Sequence, residues 1–203
     1  MHSKQMMNSI KRTITTTFLL FLLYCCWIST VFMAILLITS MCYILAYEWP
    51  LLAQKNKWLW LLTPLYICAP FIICLKYNFS SNRFMLFACI SLVAAFDTGS
   101  YIAGKLFGQH VLRPRISPQK TVEGLIGGFF GSFITWHIGY SDFLPYKFAL
   151  IICCLAFLGD LFESFLKRKA GIKDAGTLLP GHGGLLDRLD SYLFAIYGLW
   201  LFF

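Results

Sequence analysis

Between Gly159 and Ser191 the chain reads GDLFESFLKRKAGIKDAGTLLPGHGGLLDRLDS. Five of its nine acidic residues fall here: Asp160, Glu163, Asp174, Asp187 and Asp190. Lys167, Arg168, Lys169, Lys173, His182 and Arg188 accompany them. Asp160, Glu163 and Lys167 are spaced i, i+3, i+7, which puts them on one helical face, and Gly159 before them permits close backbone approach. Asp187 and Asp190, again three apart, open the next helical stretch. Between the two acidic pairs lies a loop with Gly171, Gly176, Gly181, Gly183 and Gly184, together with Pro180. So many glycines let main-chain N–H groups turn toward an anion. Carboxylates from two helices, a glycine loop and several cations suit a hard divalent ion held together with phosphate oxygens. Mg2+ takes one or two carboxylates and leaves the rest of its octahedron to substrate phosphates and water. Lys and Arg then neutralise the remaining phosphate charge. Taken singly, Asp160 with Lys167, or Asp187 with Arg188, also reads as a plain ion pair. The array as a whole does not. His182, flanked by glycines, fits a phosphate or loop-packing role better than a metal-ligand role.

The elements that must position this array are apolar. Apolar residues make up 59% of the 203-residue chain and charged ones 13%, against about 45–50% and about 25% in ordinary soluble domains. Ionisable groups beside lipid are expensive, so a mixed-charge cluster among apolar helices is a functional site by default. The expected fold is all-α: a polytopic membrane protein, one domain over residues 1–203, with N-terminal helices over 1–105 and catalytic loops and helices over 106–203. The formal charge of +8 does not indicate nucleic acid, because the basic residues sit in short clusters between apolar runs, as juxtamembrane residues do. Cys25, Cys26, Cys42, Cys68, Cys74, Cys89, Cys153 and Cys154 all lie inside apolar runs without zinc-ligand spacing. They read as small apolar side chains.

The apolar runs are Thr13–Trp49, Trp58–Leu75, Phe84–Ala103, Thr121–Gly139, Lys147–Leu166 and Leu189–Phe203. The first is too long for a signal-peptide core and reads as retained anchor. As one helix it would extend about 55 Å, against a hydrocarbon core of about 30 Å. A tight hairpin turning near Cys25–Cys26–Trp27 solves this. Charge counting supports the hairpin. With the N-terminus inside, 14 Lys and Arg fall on the inner side and 3 on the outer; a single first span gives 6 inside and 11 outside. About seven spans follow, with the N-terminus in the cytoplasm and the C-terminus outside. The last run, with 15 residues, is short for a crossing. This topology puts Lys105–Lys120 and Lys167–Arg188 on the cytoplasmic side, with Asp97 and Asp160 near the inner ends of their helices. In the first of these loops Thr121 is a candidate N-cap, with Glu123 favourable in the first turn that follows.

The run Ser164, Leu166, Lys167–Arg168, Lys173–Asp174, Gly176, Leu179–Pro180, His182–Gly183–Gly184, Asp187–Arg188 and Asp190 resembles the signature of the phosphatidate cytidylyltransferases, or CDP-diacylglycerol synthases. Upstream, Asp97–Thr98–Gly99–Ser100–Tyr101, Gly104–Lys105 with Gly108, Ser117–Pro118, Lys120–Thr121 and Glu123–Gly124 are similar as well. So is Glu48–Trp49, at the close of the N-terminal hairpin. The resemblance is weak before Asp97 and strong after Gly159. Gln109, Gln119 and Ser100 depart from the usual residues, and the chain is shorter than many members, with fewer spans between Trp58 and Phe84.

The resemblance implies that CTP and phosphatidate give CDP-diacylglycerol and pyrophosphate. The cofactor would be Mg2+, with a second cation left open. It implies Asp160 and Asp187 as metal ligands, with Glu163 and Asp190 next to them. Lys167 belongs to the same catalytic group. Arg168, Lys173, His182 and Arg188 are candidates for the phosphates of CTP or phosphatidate, and Asp97 and Lys120 for completing the site from the other loop. An integral protein of the bacterial inner membrane, a homodimer in contact with membrane lipid, is expected. The nearest rival is a related membrane enzyme using CTP on another lipid, such as an ether-lipid cytidylyltransferase or a polyprenol kinase. A cation transporter would spread its acids across membrane depth, whereas here Asp142 alone lies toward the outer face. A scaffold without turnover leaves the glycine–histidine loop without a purpose.

Overall fold

A computed structural model describes residues 2–54, 57–113, 117–178 and 183–202. His182 and its neighbours Leu179, Pro180 and Gly181 lie outside the described residues, as do Lys55 and Arg115. The apolar runs become helices: α1 (His2–Ile28), α2 (Thr30–Tyr43), α3 (Trp49–Ala53), α4 (Leu59–Thr63), α5 (Ala69–Asn78), α6 (Arg83–Phe107), α7 (Val122–Gly139), α8 (Tyr146–Ala170), α9 (Leu186–Ala195) and α10 (Tyr197–Trp200). Two π-helical turns, Ile44–Glu48 and Pro64–Cys68, join α2 to α3 and α4 to α5.

Four helical stretches among the described residues are long and apolar enough to cross a membrane: Thr30–Ala53, Leu59–Asn78, Arg83–Phe107 and Tyr146–Ala170. Thr16–Ile28 is apolar but shorter. Large apolar side chains such as Trp58, Leu61, Phe130 and Ile138 are well exposed, which fits a lipid solvent better than water. The mostly helical membrane fold is therefore as expected.

The break in the first apolar run falls at Ser29, two residues beyond the expected turn. Ser29 is extended, and its hydroxyl accepts from Phe32 N at 3.1 Å, capping α2. The break leaves carbonyls without helical donors. The Arg83 guanidinium donates to those of Cys26 and Trp27, and Asn78 Nδ2 donates to Thr30 O at 2.8 Å. Segments on both sides of the break, from Thr16 to Cys26 and from Met33 to Ser40, line one cavity.

The loop Lys105–Lys120 and its continuation hold the only strands among the described residues: an antiparallel ribbon of β1 (Val111–Arg113) and β2 (Ser117–Thr121), with Val111 opposite Thr121. This corrects the purely helical expectation locally. Glu123 explains the closure. Its Oε2 accepts from the amides of Gln109 and His110 at 3.2 and 3.3 Å, and its Oε1 meets His110 Nδ1 at 2.6 Å. The entry to β1 is thereby tied to the head of α7. Thr121 is the N-cap, as the sequence indicates, accepting from Gly124 N at 3.1 Å.

Two close helix contacts then fix where the charged residues face. Between α6 and α7, a Cβ on Gly127 would lie 2.2 Å from Ala103 Cβ, and one on Gly99 would lie 2.4 Å from Gly127 O. Small residues allow backbones in lipid to approach this closely. Between α8 and α9, a Cβ on Gly159 would lie 2.5 Å from Asp190 O, so this glycine does permit the backbone approach expected of it. A buried cluster around Trp49, Tyr66, Leu166, Leu186 and Leu193 supports the charged region from behind. The eight cysteines are free thiols.

Candidate active site

The polar stretch folds into two ion-paired groups. Asp160 Oδ2, on α8, meets Lys120 Nζ at 2.7 Å, and the Asp160 side chain stays one-third exposed. One turn further along α8, Glu163 is fully buried. Its Oε2 meets Lys167 Nζ at 2.6 Å, and the same ammonium donates to Asp187 Oδ1 at 2.9 Å. Lys167 therefore bridges α8 and the start of α9. The pairing Asp160–Lys167 does not form; Lys120, from the other loop, is the partner of Asp160. Burying two ions costs several kcal/mol each, and the pair holds only if geometry and further hydrogen bonds offset that cost. Lys167 meets this condition with two carboxylates.

Asp187 is held most firmly. Besides Lys167, it accepts from Ala175 N at 3.1 Å on Oδ1 and at 3.0 Å on Oδ2, and from Gly184 N at 2.7 Å on Oδ2. Burial opposes its ionisation. The hydrogen bonds from Lys167, Gly184 and Ala175 offset that cost. Gly171 ends α8 in the left-handed region at φ 75°, and Gly183 precedes α9 at φ 87°. Both are conformations that side chains rarely adopt.

A cavity of about 1030 Å³ joins these groups. Its polar part is lined by Asp97, Lys120, Asp160, Asp187, Arg188 and Asp190, and its apolar part includes Leu19, Leu23, Met33 and Leu37. Asp97 from α6 and Lys120 from β2 thus share a wall with the acids of α8 and α9. Glu163 and Lys167 stand just behind it. Arg168 and Lys173 are exposed and outside this lining.

Two residues that sequence reasoning did not place in the site stand behind it. Glu48 is 1% exposed and accepts from the backbone at the head of α9. Its only signal in the sequence was the Glu48–Trp49 resemblance. Tyr66 is packed among Trp49, Phe162 and Phe194, and its buried hydroxyl has no hydrogen-bond partner. No spacing rule points to it.

The residues fit a divalent cation shared with phosphate. Glu163 Oε1 is buried and meets no hydrogen-bond donor. Asp97, Asp160, Asp187 and Asp190 all reach one cavity wall, with Lys120 and Arg188 beside them, so four carboxyl groups are gathered there. Among the described residues no group of three acids, histidines or cysteines could hold a metal by itself. An ion here would need substrate oxygens to complete its shell, which is how Mg2+ is bound with phosphates.

Fold and site together define a helical membrane protein with a charged cleft suited to phosphate chemistry. The chain belongs to the cytidylyltransferase family, whose model matches residues 1–203. It is 40% identical over 143 residues to the phosphatidate cytidylyltransferase of Staphylococcus aureus strain COL, covering 67% of this chain and 55% of that protein. Over 114 residues it is 47% identical to the phosphatidate cytidylyltransferase of Helicobacter pylori, covering 53% and 42%. The Staphylococcus saprophyticus protein of the same name is 45% identical over 122 residues, covering 56% and 46%. The chain spans about half the length of the curated relatives it matches.

Proposed function

We propose that this chain transfers the cytidylyl group of CTP to phosphatidate, giving CDP-diacylglycerol and pyrophosphate for phospholipid synthesis. The observation that carries the reading is the two-part cavity. Acids and cations line one part, and leucines and a methionine line the other. A phosphorylated lipid has the same division. The names of the relatives support the same substrates.

The chemistry asks little of a base. A phosphomonoester has its second pKa at about 6, so phosphatidate reaches the site largely as a dianion. One of its oxygens attacks the α-phosphorus of CTP. The new P–O bond forms as the bond to the bridging oxygen breaks, and pyrophosphate leaves with the electron pair. Catalysis then rests on positioning and charge neutralisation. Lys120 and Arg188 supply positive charge at the cavity wall and Lys167 just behind it, with Arg168, Lys173 and His182 further candidates for phosphate oxygens. Asp160, Asp187 and Glu163 would hold Mg2+, with Asp190 and Asp97 beside them. When bound, the ion would polarise phosphoryl oxygens and offset charge on the leaving group. Before it binds, Lys120 and Lys167 occupy the same carboxylates and keep them from repelling one another.

The remaining assignments belong to the same reading. The seven helical rods α1, α2–α3, α4–α5, α6, α7, α8 and α9–α10 would each cross the bilayer, with the charged cleft at the cytoplasmic face of a bacterial inner membrane. CTP is water-soluble and would enter from that side, while phosphatidate arrives laterally. A reporter fused after Trp200 should be active only outside the cytoplasm; activity only inside would overturn this topology. A homodimer is expected and is checked by native mass spectrometry in detergent.

The activity is tested with purified full chain, phosphatidate, CTP and Mg2+ in mixed micelles. CDP-lipid and pyrophosphate should appear together and stop with chelator. CDP released in place of pyrophosphate would assign a lipid kinase instead.

A further inference from the structure

The geometry points to Glu48 as a positioning residue for the loop and helix that carry Asp187, Arg188 and Asp190. This inference rests on the cytidylyl-transfer reading for its activity arm only. The head of α9 lacks a local cap. Leu185 stands at the N-cap and makes no side-chain capping bond, where Ser, Thr, Asp or Asn would normally accept from the first amides. Glu48 supplies the missing acceptors from 137 residues upstream: Oε1 accepts from Leu185 N at 2.7 Å and Oε2 from Leu186 N at 2.6 Å. Gly184 N, the amide just before them, goes to Asp187 Oδ2. The Glu48 and Asp187 carboxylates thus divide the amides at the entry to α9 between them.

Two glycines of this loop face the same carboxylate. A Cβ on Gly176 would lie 2.5 Å from Glu48 Oε1, and one on Gly184 would lie 2.7 Å from it. Two strands of backbone therefore press against Glu48 from different sides. At these two positions a side chain would press on a buried protein acid. The positive end of α9 is already met by Glu48, and the cations at the cavity wall are Lys120 and Arg188. Glu48 in turn has little freedom. It ends the π-helical turn Ile44–Glu48, and the next residue, Trp49, is fully buried and donates from Nε1 to Thr63 Oγ1 at 2.8 Å. A π-turn inside a helix commonly re-aims a side chain at a functional site.

The test uses the purified full chain and the variants Glu48→Gln and Glu48→Ala. Two measurements are made: steady-state kinetics with CTP, Mg2+ and phosphatidate micelles, and amide hydrogen exchange. Loss of hydrogen bonds to an ionised group corresponds to roughly 10- to 100-fold in rate. Glu48→Gln keeps one acceptor and should lower kcat about 10-fold, and Glu48→Ala about 100-fold. In both, KM for phosphatidate should stay within about two-fold. Exchange at Leu185 and Leu186 should rise while α6 stays protected. Gly176→Ala, whose Cβ has Glu48 Oε1, Cδ and Cγ as its three nearest atoms, should reproduce the kcat loss if Glu48→Ala does not fold. Wild-type kcat with unchanged exchange at Leu185 and Leu186 would overturn the assignment. So would loss of protection spread across α6, which would mark a general structural role. If the unaltered chain makes no CDP-lipid, the cytidylyl-transfer reading falls, and the exchange measurement still decides the role of Glu48.

Discussion

Asp160 and Asp187 line one cavity but are held in different ways. Asp187 is buried beneath three donors, Lys167 Nζ, Ala175 N and Gly184 N. Asp160 is one-third exposed, with Lys120 as its cationic partner and Ser164 Oγ at 3.5 Å. Around Asp187 the chain has built a rigid anchor, with Glu163 and Lys167 on one side and Glu48 on the other. Around Asp160 it has left an open edge, shared with Asp97 and Lys120. Preorganised dipoles on one side and room for a ligand on the other is the arrangement that phosphoryl transfer uses, since its catalysis is mostly placement and charge. The difference teaches that residues of one type in one motif divide between a tightly held position and an open one.

The largest effect should come from the anchor. Asp187→Asn removes the charge that Lys167 and two amides are arranged around, and should abolish cytidylyl transfer while the protein level in membranes stays normal. Near-wild-type turnover would erase the contrast between the two acids. Lys167→Met should act on stability. It leaves Glu163 buried without its counter-ion, and breaking a buried pair from one side costs about 3–5 kcal/mol. Thermal unfolding in detergent should show this, and adding Glu163→Gln to the same chain should recover most of it. Asp160→Asn should lower kcat by roughly 10- to 100-fold, as expected for one electrostatic group at a reacting phosphate, with an unchanged unfolding midpoint. A large midpoint shift there would mean that Asp160 is an anchor too. The smallest effect is expected at the ribbon. His110→Ala removes one exposed contact of Glu123, leaves its two backbone amides in place, and should change activity less than about two-fold.

Much of this was legible in the sequence because it is local. The i, i+3, i+7 spacing put Glu163 and Lys167 on one face, and they pair. Thr121 announced a cap, Gly159 a close approach, and the over-long first run a break, which fell at Ser29 once Ser29 itself could cap α2. What was not legible depends on distant partners. Lys167 reaches Asp187 across 20 residues and so is not the partner of Asp160. The ribbon forms because Glu123 reaches back to Gln109 and His110, a contact with no periodic signature. Glu48 lies 137 residues from the amide it caps, and the leucine at that cap position gave no hint that a remote acid replaces it. Tyr66 owes its place to a π-helical turn that no pattern of apolar residues marks.

The claim that acids of two helices converge on one cation-and-phosphate site is tested most directly by electron paramagnetic resonance of Mn2+ with the purified full chain and CTP. Bound Mn2+ should appear only with CTP in the unaltered protein, and both Asp160→Asn and Asp187→Asn should weaken it by at least about 10-fold. Mn2+ binding that survives both substitutions would contradict the account.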